Sequence, residues 1–184
     1  MIHSREKKLL LMHVCCGPCA VLPVQCLKEE GLFDVTGLFY NPNIHPLAEF
    51  EQRRETAARF FELAGLQLRM SDDFRQSQWE EYETNPALGG KAARCGMCYR
   101  LRLAYAAREA AEGEFDAFTT SLLISPYQDH ERIREIGEEL AEQYRVPFYY
   151  RDFRPEFRKG QAMAREFGLY RQKYCGCILS LAER

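Results

Sequence analysis

Seven of the eight cysteines fall into three tight clusters, Cys15-Cys16-x-x-Cys19, Cys95-x-x-Cys98 and Cys175-x-Cys177, and Cys26 stands alone. Two residues between cysteines turn the backbone enough to bring both sulfurs to one metal. The same spacing at the start of a helix makes a thioredoxin-type redox pair, because the positive helix end favours thiolate. Cys95 and Cys98 precede a helical pattern and have basic neighbours, so both readings stand. Together the clusters hold more sulfur than a four-coordinate zinc needs, which favours an iron–sulfur cluster with thiols to spare. A disulfide scaffold does not fit, since 184 residues can bury a core without covalent staples. In a reducing cytoplasm the arrangement favours metal or redox chemistry. Cys26, inside a helical stretch, reads as a small buried hydrophobe.

The net charge of -2 conceals a pattern: residues 91–108 carry five basic and no acidic side chains, and residues 151–184 carry eight basic and four acidic. Charge runs alone read as solvated faces. Here Lys91, Arg94, Arg100 and Arg102 surround one thiol cluster and Arg171 and Lys173 another, which points to an anionic substrate brought to the thiols.

The elements that would position these residues alternate. Strands are expected at Lys8 to Val14, Asp34 to Tyr40, Leu66 to Met70, Phe115 to Ser121 and Val146 to Tyr150, with helices at Ala20 to Glu30, Leu47 to Ala64, Tyr99 to Glu112, Asp129 to Tyr144 and Arg158 to Phe167. The stretch around Trp79 is less regular. This pattern predicts an α/β, Rossmann-like parallel sheet with helices on both faces, in a single domain over residues 1–184. Ligands in such sheets bind beyond the carboxyl ends of the strands. Cys15 and Cys16, Asn41, Ser121 and Arg151 each follow a strand and are expected on that rim. The longest apolar run near the N-terminus, Leu9 to Val14 broken by His13, is too short to span a bilayer, so a cytoplasmic location without membrane contact is expected.

His13 reads as a hydrogen-bonded core histidine and Trp79 as a half-buried packing residue. Tyr149, Tyr150, Phe153, Tyr170 and Tyr174 read equally as core or, beside Arg151, Arg154 and Arg171, as base-stacking residues. There is no Gly-x-x-x-x-Gly-Lys-Ser/Thr loop and no Gly-x-Gly-x-x-Gly, so ATP and dinucleotide binding lack support. Cys15-Cys16-Gly17-Pro18-Cys19 occupies the turn where a phosphate loop would sit.

Across nearly its whole length the chain resembles the cobalamin-independent epoxyqueuosine reductases, QueH. The resemblance rests on Leu9 to Cys19, Tyr40-Asn41-Pro42-Asn43-Ile44, Arg94-Cys95-Gly96-Met97-Cys98-Tyr99, Thr119 to Tyr127 and Tyr170-Arg171-Gln172-Lys173-Tyr174-Cys175-Gly176-Cys177. It implies reductive removal of the epoxide oxygen of epoxyqueuosine at the tRNA wobble position, a PP-loop (HUP-like) fold without the ATP motif, a 4Fe-4S cluster and a second, mononuclear metal taken as iron. Some members carry Asp where this chain has Cys19, which makes Cys19 a ligand of that second metal. With the chemistry so framed, Cys15, Cys16, Cys95 and Cys98 are expected to hold the cluster. Cys175 and Cys177 serve as a catalytic thiol pair or as further ligands, and Asp152 as a proton donor or metal ligand. Arg94, Arg100, Arg102, Arg171, Lys173 and Tyr170 are expected to bind tRNA. A monomer fed by a low-potential electron donor is implied. An iron–sulfur tRNA sulfur transferase is the rival enzyme, though it would need ATP to activate the base. A zinc-stabilised RNA-binding module without catalysis is the rival from another class.

Overall fold

The computed structural model describes residues 7–183. Four parallel strands, β1 (Lys8–His13), β2 (Phe33–Phe39), β3 (Leu68–Met70) and β4 (Ala117–Thr120), lie in the order β3-β2-β1-β4. Seven α-helices accompany them among the described residues: α1 (Gly17–Glu30), α2 (Leu47–Leu63), α3 (Ser77–Thr84), α4 (Lys91–Glu112), α5 (His130–Tyr144), α6 (Phe157–Glu166) and α7 (Ile178–Ala182). The period-two alternation of β1 gives the sheet two buried faces. Leu10 and Met12 pack with Val24, Phe60 and Phe61 from α1 and α2, and Leu11 packs with Leu103, Ile133 and Ile136 from α4 and α5. Among the described residues no helix is long and apolar enough to cross a membrane.

The chain runs β1, β2, β3 in one direction and then returns to place β4 on the other side of β1, so the strand order reverses between β1 and β4. The crevice beyond their carboxyl ends is the position where such sheets bind ligands.

Three expectations are corrected. The fifth strand shrinks to one parallel bridge between Phe118 and Phe148, because Pro147 has no N–H to extend a ladder. The helix expected from Tyr99 begins at Lys91, just after Gly89 and Gly90, and so takes in Cys95 and Cys98. The irregular stretch around Trp79 contains a two-turn helix, α3, that buries the indole to 1% exposure.

Candidate metal centre

β1 ends at His13, and α1 starts at Gly17 with Pro18 in its first turn, where the missing N–H costs nothing. This tight reversal puts Cys15, Cys16 and Cys19 around the positive end of α1, with their three sulfurs all within 4.8 Å of one another. Pro23 inside α1 cannot donate to the carbonyl four residues back, that of Cys19. From the end of β4, Ser121 Oγ accepts from Cys15 N–H at 2.9 Å and its hydroxyl lies 3.3 Å from Cys15 Sγ. Gln172 Nε2 donates to Cys16 Sγ at 2.9 Å and lies 3.4 Å from Cys19 Sγ. Hydrogen bonds from Cys16 and Cys19, helped by Arg102 and Ser121, hold the Cys15 thiol well below its ordinary pKa. Burial and the Cys15 sulfur push Cys16 up, and the hydrogen bonds to Cys15 and Cys16 push Cys19 up. Of the three thiols, Cys15 is the one its neighbours favour to ionise.

Beneath it lies a buried polar network. His13 Nδ1 meets Thr120 Oγ1 at 2.9 Å and Nε2 lies 3.1 Å from the Tyr40 carbonyl, the satisfied core histidine expected from the sequence. Burial, then the Arg102 charge, lower its pKa to about 3, so the ring is neutral. Arg102 donates to Asn41 Oδ1 at 2.7 Å and reaches Cys98 Sγ at 3.7 Å. Burial works against its charge, but Cys98 and Cys15 more than offset that cost and raise its pKa.

The second sulfur group forms where α4 meets the loop before α7. Cys95 and Cys98, three residues apart on α4, share a helix face. Cys95, Cys98, Cys175 and Cys177 line one small cavity with Trp79, Arg94 and Arg102. Burial is the main cause that raises Cys95 and Cys98, the latter to about 11, whereas Cys175 keeps an exposed surface. The loop carrying Cys175 is fixed from α2. Buried Arg53 donates to the carbonyls of Cys175 at 2.9 Å and Tyr174 at 3.0 Å, while its Nε donates to Glu49 at 2.7 Å. Gly176 between the two cysteines has φ +135°, and a Cβ there would sit 3.1 Å from Arg53 Nη1, so only glycine suits the position.

The four thiols expected to share a cluster therefore divide between two groups, Cys15 and Cys16 in one and Cys95 and Cys98 in the other, with Arg102 between them. Cys175 joins the groups, since it also lines a pocket of about 380 Å³ whose floor includes Cys15 and Cys19.

Several expected contacts fall elsewhere. Arg102 and Arg94 are buried beside the thiols; Arg102 also lines the larger pocket, and Arg94 pairs with Glu183 at 2.9 Å. Arg100 is on the surface but ion-pairs with Glu139. Tyr170 donates its hydroxyl to Glu49 at 2.6 Å. Asp152 is taken up by Arg154, through its N–H at 2.9 Å and its guanidinium at 2.7 Å, and is not among the residues lining either thiol cavity. Arg151 pairs with Glu30 at the far end of α1 and so leaves the rim. Arg171 and Lys173 are exposed, and Lys173 lines the pocket. Sequence reading missed Arg53, Gln172 and Gln128, whose Oε1 accepts from Tyr99 at 2.9 Å and whose Nε2 lies 3.8 Å from Cys175 Sγ. The signal for Arg53 was present: it interrupts the apolar stripe of α2 between Phe50 and Ala57.

The family model described as Epoxyqueuosine reductase QueH matches residues 10–183. A relative of that name from Thermotoga maritima is 34% identical over 95% of this chain and 91% of its own length. One from Histophilus somni is 36% identical over 98% and 74%, and one from Dehalococcoides mccartyi is 34% identical over 95% and 93%. Among solved structures, the U34-tRNA thiolase NcsA from Methanococcus maripaludis with its [4Fe-4S] cluster superimposes with a TM-score of 0.63 at 16% identity, over 96% of this chain and 62% of that one. A predicted subunit of tRNA methyltransferase from Methanocaldococcus jannaschii gives 0.54 at 13% identity, over 85% and 76%. At these identities the two structures show a shared fold.

Proposed function

The chain belongs to the QueH family of epoxyqueuosine reductases, and we propose that it reduces epoxyqueuosine at the tRNA wobble position in the pocket lined by Cys15, Cys19 and Cys175. Opening the epoxide to an alkene with loss of its oxygen as water consumes two electrons and two protons, so an external low-potential one-electron donor completes the balance. The observation that carries this reading is the meeting of two thiol groups at one pocket on the ligand-binding rim.

The donor set fits an iron–sulfur cluster. Besides four thiols, the inner cavity is lined by Trp79 and Arg94, whose Nε1 and Nε are buried donors without a partner, and cluster sulfides are acceptors. A cluster held there supplies electrons one at a time at low potential. Cys95, Cys98, Cys175 and Cys177 are the residues the cavity supports as its ligands. This draws two from the sequence-based set and replaces Cys15 and Cys16, which with Cys19 form a separate three-sulfur site suited to the mononuclear iron. Arg102 holds positive charge between the groups and favours thiolate in both. Ser121 and Gln172 orient the three-sulfur site through their hydrogen bonds, Arg53 fixes the Cys175 loop, and Leu122 and Phe157 wall the pocket with apolar surface.

Anaerobic incubation of the iron-reconstituted protein with epoxyqueuosine tRNA and a strong reductant, followed by nucleoside analysis, is expected to yield queuosine. Brown protein that leaves epoxyqueuosine unchanged would sink the reading, and colourless zinc protein that binds RNA would favour a non-catalytic module.

A further inference from the structure

Among the large apolar side chains exposed on this chain, Tyr127 stands out, with 83% of its surface open to solvent. It also lines the thiol pocket, so this ring stands at the mouth rather than on a remote face. The turn that carries it is pinned. Ser125 Oγ accepts from Tyr127 N–H at 3.3 Å, and next to Tyr127 the amide of Gln128 is held by Tyr99 against Cys175. Phe157 meets the ring edge-on at 6.1 Å and 88°, which steadies it without covering it. The same pocket is lined by the amides of Gln161 and Gln172 and by Lys173.

An open π-face on a fixed turn, in a pocket also lined by side-chain amides and a cation, matches the chemistry of an unstacked nucleobase. The ring offers stacking, the amides match donor and acceptor edges, and the cation meets the neighbouring phosphate. The thiols lie on the floor, so a base must leave its own stack to reach them. We propose that Tyr127 is the stacking platform that receives the extruded wobble base and sets its plane above the thiol floor. This rests on the epoxyqueuosine reading and adds a specificity-determining residue to it. The alternative for the same exposed ring is a contact to the RNA backbone, with no interest in the base.

A coupling experiment separates the two. Wild type, Tyr127→Phe and Tyr127→Ala, all reconstituted, are titrated with an anticodon stem-loop bearing epoxyqueuosine and with the same stem-loop abasic at that position. Wild type and Tyr127→Phe are expected to prefer the base-containing hairpin by about tenfold, and Tyr127→Ala to bind both within twofold. Equal preference in Tyr127→Ala and wild type, or no preference in wild type, overturns the proposal. Tyr127→Trp gives a second readout: the indole it introduces should be quenched by the base-containing hairpin only, against the single buried native Trp79. Quenching by both hairpins alike would mark a backbone contact and overturn the stacking role. Conversion to queuosine by wild type in the same preparation tests the underlying reaction separately, because the coupling is read from binding.

Discussion

Arg53 on α2 and Cys175, 122 residues later, are joined by a hydrogen bond of 2.9 Å from the guanidinium to the cysteine carbonyl. The same guanidinium holds the Tyr174 carbonyl and Glu49, so one buried side chain ties the last thiol loop to the body of the fold. Arg53→Ala would leave two carbonyls unmatched and Glu49 with only the Tyr170 hydroxyl, and should cost about 3–5 kcal/mol. Arg53→Lys keeps the charge but not the planar fork, and so should recover stability more than loop position. The check is a urea melt alongside the alkylation rate of Cys175 in metal-free protein. Lysine should restore most of the melt while alkylation stays faster than in wild type. Equal alkylation rates in all three proteins would deny Arg53 its positioning role.

The division of the thiols predicts unequal results along the chain. Cys98→Ser and Cys177→Ser are each expected to remove most of the visible iron–sulfur absorbance and activity. Cys19→Ser should keep the absorbance, lose about one iron per chain, and lose turnover. Iron and sulfide analysis on the same preparations decides it. Retention of the full cluster in Cys177→Ser, with its loss in Cys15→Ser and Cys16→Ser, would return those two residues to the cluster set.

Much of this site was legible because local sequence controls it. The run from Lys8 to His13 must be a buried strand, and whatever follows it must lie on the carboxyl rim, which placed Cys15, Cys16 and, by the same logic, Asn41 and Ser121. The grouping of thiols was not legible, because Cys175 meets Cys95 and Cys98 only through tertiary packing of α4 against the segment before α7. Arg94 and Arg102 looked like surface cations for a related reason: composition shows charge, not the face on which a helix carries it. Their spacing was informative, since Arg94, Cys98 and Arg102 recur every four residues on the buried side of α4. The start of α4 was hidden by reading Cys-x-x-Cys as a loop motif before a helix, although Lys91 to Arg94 are good helix formers.

Salt dependence of RNA binding should sort the basic residues by exposure. Arg171 and Lys173 are open to solvent, whereas Arg94 and Arg102 are buried and Arg100 is paired with Glu139. Arg171→Glu with Lys173→Glu should weaken binding of the anticodon stem-loop and flatten the log–log salt plot by roughly 0.7–0.9 for each phosphate that the pair no longer neutralises. Arg100→Gln should leave the slope unchanged. Equal slopes for wild type and the double variant would remove these two residues from the RNA interface.

His130, the first residue of α5, predicts an acid limb of stability. Its Nε2 contacts the Ser125 carbonyl at 3.1 Å, and its buried Nδ1 has no hydrogen-bond partner, with Asp152 3.9 Å away. Burial lowers its pKa and outweighs the favourable Ser125 carbonyl; the charge of Arg154 also lowers it. As pH falls through about 6.5, the unfolded chain takes up a proton that the folded chain refuses, so unfolding free energy falls with pH from there down to the folded-state pKa. Asp152 acts in a lower window. Its carboxylate is held below its ordinary pKa by the Arg154 hydrogen bond, so the stability it contributes is present above its unfolded pKa near 4 and is lost as pH falls through its folded pKa. Urea melts of metal-free protein at pH 7.5 and 5.5, values chosen about one pH unit either side of the histidine window, isolate the first effect. Wild type should lose more stability between them than His130→Gln. A difference of the same size in both proteins would show that His130 is protonated equally well in the folded and unfolded chain.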